Sequence, residues 1–389
     1  RTRYQVIALV FSAAVITYLD RVCVSVAAPL MMRDLSLSDT QFGLVFTAFN
    51  LAYAIFEVPA SWLGDRWGQR RTLARIVGAW SVFTALTGAV RGYVSLLAVR
   101  FLFGAGEAAA FPTLSRAISH WFPAHERGRA NGIMWTGARL GGAISPALAV
   151  MVMAVVGWRG TFVLFGLVGL VWVAVCLVWY RDNPADHPGV NSAELAHIRV
   201  GAVAAPSAHE RIAWRKVLFQ KDLLLVFSTY FASGFGFQFF VTWLPTYLTR
   251  EYGLTLTRSG FYASLPLLAG AVGCAFGGAS TDWLTKRLGS LVWGRRIVGA
   301  GGFLLGAVGF AAAIFANSPE IAIAWLAFAS GAHDLTLPVV WATCTDLGGR
   351  FGGTAGGWVN LASSLSGMVA PLAAAYLAEW FGSFTALSW

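Results

Sequence analysis

Long apolar stretches recur from one end of this 389-residue chain to the other. Eleven stand out, at about 5–30, 40–62, 73–91, 95–119, 130–156, 160–180, 222–248, 259–281, 296–316, 320–345 and 353–378. Each holds roughly 20–27 residues, which as α-helix at about 1.5 Å per residue matches the ~30 Å hydrocarbon thickness of a bilayer. Lipid offers the backbone no hydrogen bonds, so such segments are held to an all-helical fold. Only 12% of the residues are charged, against about 25% in a soluble domain. The pattern is that of an all-α, polytopic membrane protein. The 43 Gly suit close helix packing and the 17 Trp suit interfacial belts.

A net charge of +10 raises nucleic acid as a partner, and the placement of the charges argues against it. Most Lys and Arg fall in short loops that alternate in sidedness, which is a topology signal and no phosphate-binding patch. Cys23, Cys176, Cys274 and Cys344 all lie within apolar stretches. They lack metal-ligand spacing and read as small packing residues. The first stretch carries Asp20 and Arg21, so it reads as a span and not as a cleaved signal.

The polar run 181–221, with Pro184, Pro188 and Pro206, reads as a cytoplasmic linker with a short surface helix near 192–200. It divides the chain into an N-terminal six-helix bundle, 1–180, and a C-terminal bundle, 222–389, with five spans. A twelfth span beyond the present end is expected. Arg66, Arg70, Arg71, Arg127, Arg129, the linker, Lys286, Arg287, Arg295 and Arg296 all fall on one side. By the positive-inside rule that side is cytoplasmic, together with the N-terminus. The halves also echo each other. Ser61-Trp62-Leu63-Gly64-Asp65-Arg66 follows span two, and Gly278-Ala279-Ser280-Thr281-Asp282-Trp283 follows span eight. Repeats of like topology predict two bundles related by an axis along the membrane normal, with a site between them at mid-depth.

Charges inside the spans are the strongest functional signal. Each costs about 2.5–3.5 kcal/mol even on insertion scales, and such residues mark substrate or ion pathways by default. Asp20 and Arg21 are adjacent, so their side chains point about 100° apart on a helix. Arg100 and Glu107 are two turns apart on one face. Two readings are open: a fixed internal ion pair that only holds helices together, or an anion site coupled to protons. The second is favoured. A guanidinium matches a carboxylate in bidentate fashion and stays charged. Once substrate occupies it, the acid that had been its partner accepts a proton more readily.

These residues resemble the major facilitator superfamily. The resemblance covers the whole chain and rests on Gly64-Asp65-Arg66-x-Gly68-x-Arg70-Arg71 and its weaker copy around Asp282. The family pattern places Gly four residues before the Asp; here the first copy has Ser61 and the second keeps Gly278, which predicts looser packing at Ser61. A narrower resemblance is to the anion:cation symporter group. It rests on Tyr18-Leu19-Asp20-Arg21, Tyr53, Arg100-Phe101-x-x-Gly104-x-Gly106-Glu107, Phe111-Pro112, Trp243-Leu244-Pro245-Thr246-Tyr247-Leu248 and Asn360.

The resemblance implies that Arg21 and Tyr53 bind substrate, that Asp20 and Glu107 carry protons, and that Arg100 tunes Glu107. Arg139 is either a further anion contact or the partner of a gate acid. Tyr18 and Trp243 are expected to line the pocket, with interfacial packing as the alternative. Phe239 and Phe240 are expected to pack. Asn360 suits substrate hydroxyls, although amides also bridge helices. His333 with Asp334 reads as a satisfied buried pair ahead of a third proton site. Asp65, Arg66, Arg70, Arg71 and Asp282 are expected to form the gate, and Glu57 to serve structure or gating.

The implied function is proton-coupled symport of a small organic carboxylate, with a sugar acid leading (hexonate, hexuronate or aldarate). It would proceed by alternating access in a bacterial inner membrane, as a monomer and without cofactor or metal. An organophosphate/phosphate antiporter is disfavoured by Asp20 and Glu107, since phosphate exchange needs no proton carrier. A multidrug exporter is disfavoured by Arg21, which suits anions. A non-transporting sensor is disfavoured by gate charges in both halves. No nucleophile–base pair supports an enzyme.

Overall fold

A computed structural model describes residues 2–200, 218–238, 244, 248, 252–254 and 256–381. Trp243 falls outside the described residues, as do Phe239, Phe240 and Tyr247. The first half is built from α1 (Thr2–Leu35), α2 (Asp39–Trp67), α3 (Gln69–Thr87), α4 (Tyr93–Glu107), α5 (Ala110–Trp121) and α6 (Arg127–Trp179). A short α7 (Ser192–Ile198) lies where the sequence predicts a surface helix. The second half holds α8 (Lys221–Gln238), α9 (Leu256–Leu288), α10 (Leu291–Ile314), α11 (Pro319–Asp334), α12 (Leu337–Gly348) and α13 (Gly352–Phe381).

Helices occupy most of each of the eleven apolar stretches, wherever their residues are described. Local signals set their ends. Ser38 accepts from the Gln41 amide at 3.2 Å while the Gln41 side chain accepts from the Ser38 amide at 3.1 Å, a reciprocal cap that starts α2. Ser318 accepts from the Ile321 amide at 3.3 Å and starts α11. α6 is two crossings in one run, interrupted at Gly157 (φ 69°). The α4–α5 crossing breaks at Ala108–Ala109, where Ala109 is left-handed (φ 70°), directly after Glu107.

The exterior is apolar and the interior carries the charge, the reverse of a soluble protein. Val94, Val155, Val178 and Phe315 are at least 74% exposed, whereas Asp20, Glu57, Arg100 and Glu107 are at most 2% exposed. Lipid solvates such an exterior, and seven stretches among the described residues are long and apolar enough to cross it.

The halves meet along α6–α9 and α2–α13. On α6 a Cβ at Gly132 would lie 2.6 Å from the Cys274 carbonyl oxygen, and on α9 a Cβ at Gly278 would lie 2.9 Å from the Arg129 Cα. Small residues therefore let these two backbones touch. The equivalent α2–α13 contact departs from the expectation of looseness at Ser61. Ser61 is 1% exposed, and Gly357 on α13 supplies the missing space, since a Cβ there would lie 2.7 Å from the Ser61 Cβ.

Candidate functional site

α1 delivers Arg21 to the middle of the first half, one quarter exposed. Its Nε donates to Glu107 Oε1 at 2.5 Å, and Glu107 is fully buried. Four aromatic rings surround the guanidinium: Tyr53 at 4.8 Å, Phe49 at 5.3 Å, Tyr18 at 5.7 Å and Phe111 at 6.0 Å from ring centroid to Cζ. Their π-faces favour the cation. Two atoms of this pair are left over: Arg21 Nη2 and Glu107 Oε2 are buried without a hydrogen-bond partner.

Asp20 turns away from Arg21, as the helical repeat requires. It is 1% exposed, and although Thr84 and Trp80 approach its carboxyl, neither oxygen makes a well-formed hydrogen bond. Arg100 lies in electrostatic reach of both Asp20 and Glu107 but forms no ion pair among the described residues. Its guanidinium stacks on Phe103 at 4.4 Å and Phe49 at 5.0 Å. The seven-residue spacing puts Arg100 and Glu107 on one face, and it is Arg21 from another helix that closes on Glu107.

The second half reaches the site through α13. The Asn360 amide donates to the Tyr53 hydroxyl at 3.1 Å and to Glu57 Oε1 at 3.0 Å. Glu57 is fully buried, and its Oε2 has no partner. Glu57 is thus joined to Asn360 and Tyr53 in one buried network. Its sequence signal was available: a third intramembrane acid one turn from Tyr53.

Below the site lies an aromatic floor. Phe111 stacks on Trp135 at 4.6 Å and 9°, and Trp341 of the second half packs on Trp135 at 5.5 Å. One turn along α6 from Trp135, Arg139 reaches across to α11. Its Nε and Nη2 donate to Asp334 Oδ2 and Oδ1 at 2.6 and 2.9 Å. His333 Nδ1 lies 3.0 Å from the same Asp334 Oδ1.

At the basic end the halves are tied by charge. Asp65 accepts from the backbone amides of Gly353 (3.0 Å) and Thr354 (2.7 Å) and from the Thr354 hydroxyl (2.7 Å). Asp282 accepts from the Arg129 amide at 2.9 Å. Each repeat's acid therefore caps the N-terminus of a helix in the opposite half, α13 or α6, where helix dipole and free amides favour an anion. Arg127 and Arg295 share the two oxygens of Asp346, Arg295 at 2.6 Å. Arg116, 1% exposed, donates to the Gly349 and Arg350 carbonyls at 2.7 and 2.9 Å. Arg116 and Asp346 were not singled out from the sequence, although Arg116 is a charge within an apolar stretch.

The basic residues of the loop behave differently from its acid. The Arg70 amide donates to Asp182 at the start of the linker at 2.7 Å, and its guanidinium donates to the Leu177 carbonyl of the first half. Arg66 stacks on Trp62 at 5.0 Å, and Arg71 is exposed. Gly68 (φ 81°) makes the one-residue turn between α2 and α3 and leaves the space that the Asp182 carboxylate fills. Asp182 lies outside the spans, where burial pushes its carboxyl above the ordinary range and the Arg70 and Gln69 amides oppose this.

Residues 10–371 match a family description, that of the Major Facilitator Superfamily. The chain belongs to the major facilitator superfamily. It is a multi-pass membrane transporter and not an enzyme. A probable sulfoacetate transporter from Cupriavidus necator is 36% identical, with 99% of this chain and 89% of that protein covered. A D-galactonate transporter from Escherichia coli is 31% identical, covering 100% and 92%, and a hexuronate transporter from Bacillus subtilis is 31% identical, covering 99% and 90%. Among solved structures, the human organic anion transporter MFSD10 superposes with a TM-score of 0.77 at 15% identity, covering 100% of this chain and 96% of that one. The transporter FucP in its outward conformation gives 0.74 at 14% identity, covering 100% and 95%. At such identities these two likenesses speak for the superfamily fold alone.

Proposed function

We propose that this protein carries a small organic anion across a bacterial inner membrane together with protons, by alternating access. One observation carries the reading. Arg21 is a ring-flanked cation whose ion-pair partner among the described residues, Glu107, is fully buried and keeps a second oxygen without a hydrogen-bond partner. An incoming carboxylate or sulfonate takes the guanidinium fork, and Glu107 loses its counter-charge. A proton then neutralises it, because a lone buried carboxylate is costly. Asp20, with neither oxygen in a well-formed hydrogen bond, is a second proton carrier beside the same cluster, and Arg100 holds the local balance of charge between the two acids.

Tyr53 and Asn360, joined across the halves, are placed to exchange their mutual bond for bonds to substrate hydroxyls or oxyanions. The N-terminus and the basic loops lie in the cytoplasm, as the distribution of Arg predicts. The Asp65 and Asp282 caps and the Asp346 pair then form a cytoplasmic seal, which suits a state facing outward. Sugar acids are the leading substrate class, in keeping with the galactonate and hexuronate carriers; the 36% identity to a sulfoacetate carrier favours a short sulfonated acid as the second reading.

Reconstituted vesicles test this directly. With an inward proton gradient, labelled galactonate or sulfoacetate should accumulate above equilibrium, a protonophore should collapse the accumulation, and sodium should not replace protons. Uptake indifferent to the proton gradient, or a strict exchange of phosphate esters, would overturn it.

A further inference from the structure

Arg139 is buried at the interface of the halves, and three observations set it apart from an ordinary helix-to-helix ion pair. First, shared aromatic neighbours connect it with Arg21. Tyr18 borders both groups: its ring lies 5.7 Å from the Arg21 guanidinium, and its Cδ1 lies 3.3 Å from where a Cβ of Gly142 would be, one turn from Arg139 on α6. Phe111 stacks on Trp135, one turn before Arg139, and also borders Arg21 at 6.0 Å. One cluster of rings therefore links the helices that carry the two guanidinium groups.

Second, Arg139 is prepared as Arg21 is. One face lies on an aromatic ring, Phe237 at 4.3 Å, and its fork is closed by a carboxylate, Asp334. Third, Asp334 has somewhere to turn when that fork is taken. His333 Nδ1 already lies 3.0 Å away, while His333 Nε2 is buried without a partner. The other titratable groups facing the pair are Tyr18 from α1, Tyr230 from α8 and Cys274 from α9.

We propose that Arg139 is a second anion subsite, masked by Asp334 until cargo arrives, and that the cargo is a dianion with an acidic group at each end, one on Arg21 and the other on Arg139. This rests on the organic-anion reading and narrows it. Acids bearing two carboxylates, or one carboxylate and one sulfonate, fit two preformed guanidinium forks. An acid with one charge leaves Asp334 in place and draws on Arg21 alone. Because Arg139 belongs to the first half and Asp334 to the second, the distal anion also exchanges a tie between halves for a tie to cargo.

Two ligand pairs that differ by one charge test the inference: galactarate against galactonate, and sulfoacetate against methylsulfonylacetate. Binding is measured by calorimetry on purified protein, with thermal midpoints recorded for every variant. In the unmodified protein the dianion of at least one pair should bind about tenfold or more tightly than its partner. Arg139→Gln should lower that ratio at least tenfold, and Asp334→Asn, which removes the competitor, should hold or raise it. Exchanging the two residues (Arg139→Asp with Asp334→Arg) should restore the thermal midpoint but not the ratio, whereas a purely structural pair would leave the ratio unmoved throughout. Should Arg139→Gln fail to fold, Arg139→Lys, which keeps the charge and loses the fork, should still depress the ratio. Equal binding of both members, a preference for the monoanion, or a ratio indifferent to Arg139 would overturn the inference and leave organic-anion transport standing. Binding of none of the four would overturn this inference, and the organic-anion reading would then be decided by the vesicle uptake assay.

Discussion

Asp65 at the basic end is buried much as the acids at mid-depth are, Asp346 is one fifth exposed, and the two sets are satisfied very differently. Both oxygens of Asp65 have amide or hydroxyl donors, and both oxygens of Asp346 have guanidinium partners. At mid-depth, both oxygens of Asp20 and one each of Glu57 and Glu107 have none. A buried polar group without a partner costs about 1–3 kcal/mol, and more when charged. The first arrangement is complete in itself and suits a seal. The second is incomplete without a ligand or a proton, which suits a site that is emptied and filled each cycle. Asp334 is the informative exception: it lies at mid-depth yet is satisfied, and it is satisfied by a group that cargo could claim.

The sharpest way to break this contrast is Arg21→Ala. It removes the cation and strands Glu107, and losing one partner of a buried charge pair costs about 3–5 kcal/mol. Binding and uptake of organic anion should fall more than a hundredfold, read by calorimetry and vesicle uptake; affinity within tenfold of the unmodified protein would remove Arg21 from the site. Next in size is Glu107→Gln. Accumulation driven by a pH gradient should be lost while exchange between pre-loaded and external substrate persists, and intact pH-driven accumulation would deny Glu107 its proton role.

At the seal, Asp65→Asn keeps the shape and removes the charge facing the α13 N-terminus, worth about 0.3–2 kcal/mol. The population should move several-fold toward the state open at the basic end, seen by spin-label distances across that end, with the intrinsic substrate affinity altered less than in any mid-depth variant. A larger loss of affinity than in Tyr53→Phe would blur the division between seal and site. The smallest effect belongs to Tyr53→Phe. It deletes one neutral acceptor for Asn360, worth about 0.5–1.5 kcal/mol, so KM should rise roughly two- to tenfold. No change in KM would leave Tyr53 as a wall of the cage only.

Much of the fold was legible because its constraint is one-dimensional. Span length and Arg placement follow directly from bilayer thickness and charge, so the eleven stretches and the short α7 could be located to within several residues. Looseness at Ser61 was misjudged because the compensating space belongs to Gly357, nearly 300 positions along the chain. The site residues Asp20, Arg21, Arg100 and Glu107 were visible as charges in lipid. Their partners were not, since the spacing that puts Arg100 and Glu107 on one face says nothing of Arg21 approaching from another helix.

The sequence by itself determined that this chain crosses a membrane repeatedly, that its halves repeat, and which charges lie inside. Each of these is a property of single segments measured against a slab of hydrocarbon. Only the tertiary structure decided which acid meets which base: Arg21 with Glu107, Arg139 with Asp334, Asp65 with the start of α13. Those choices depend on how helices far apart in sequence rotate and close on one another, and small residues such as Gly132 and Gly278 set how near they come.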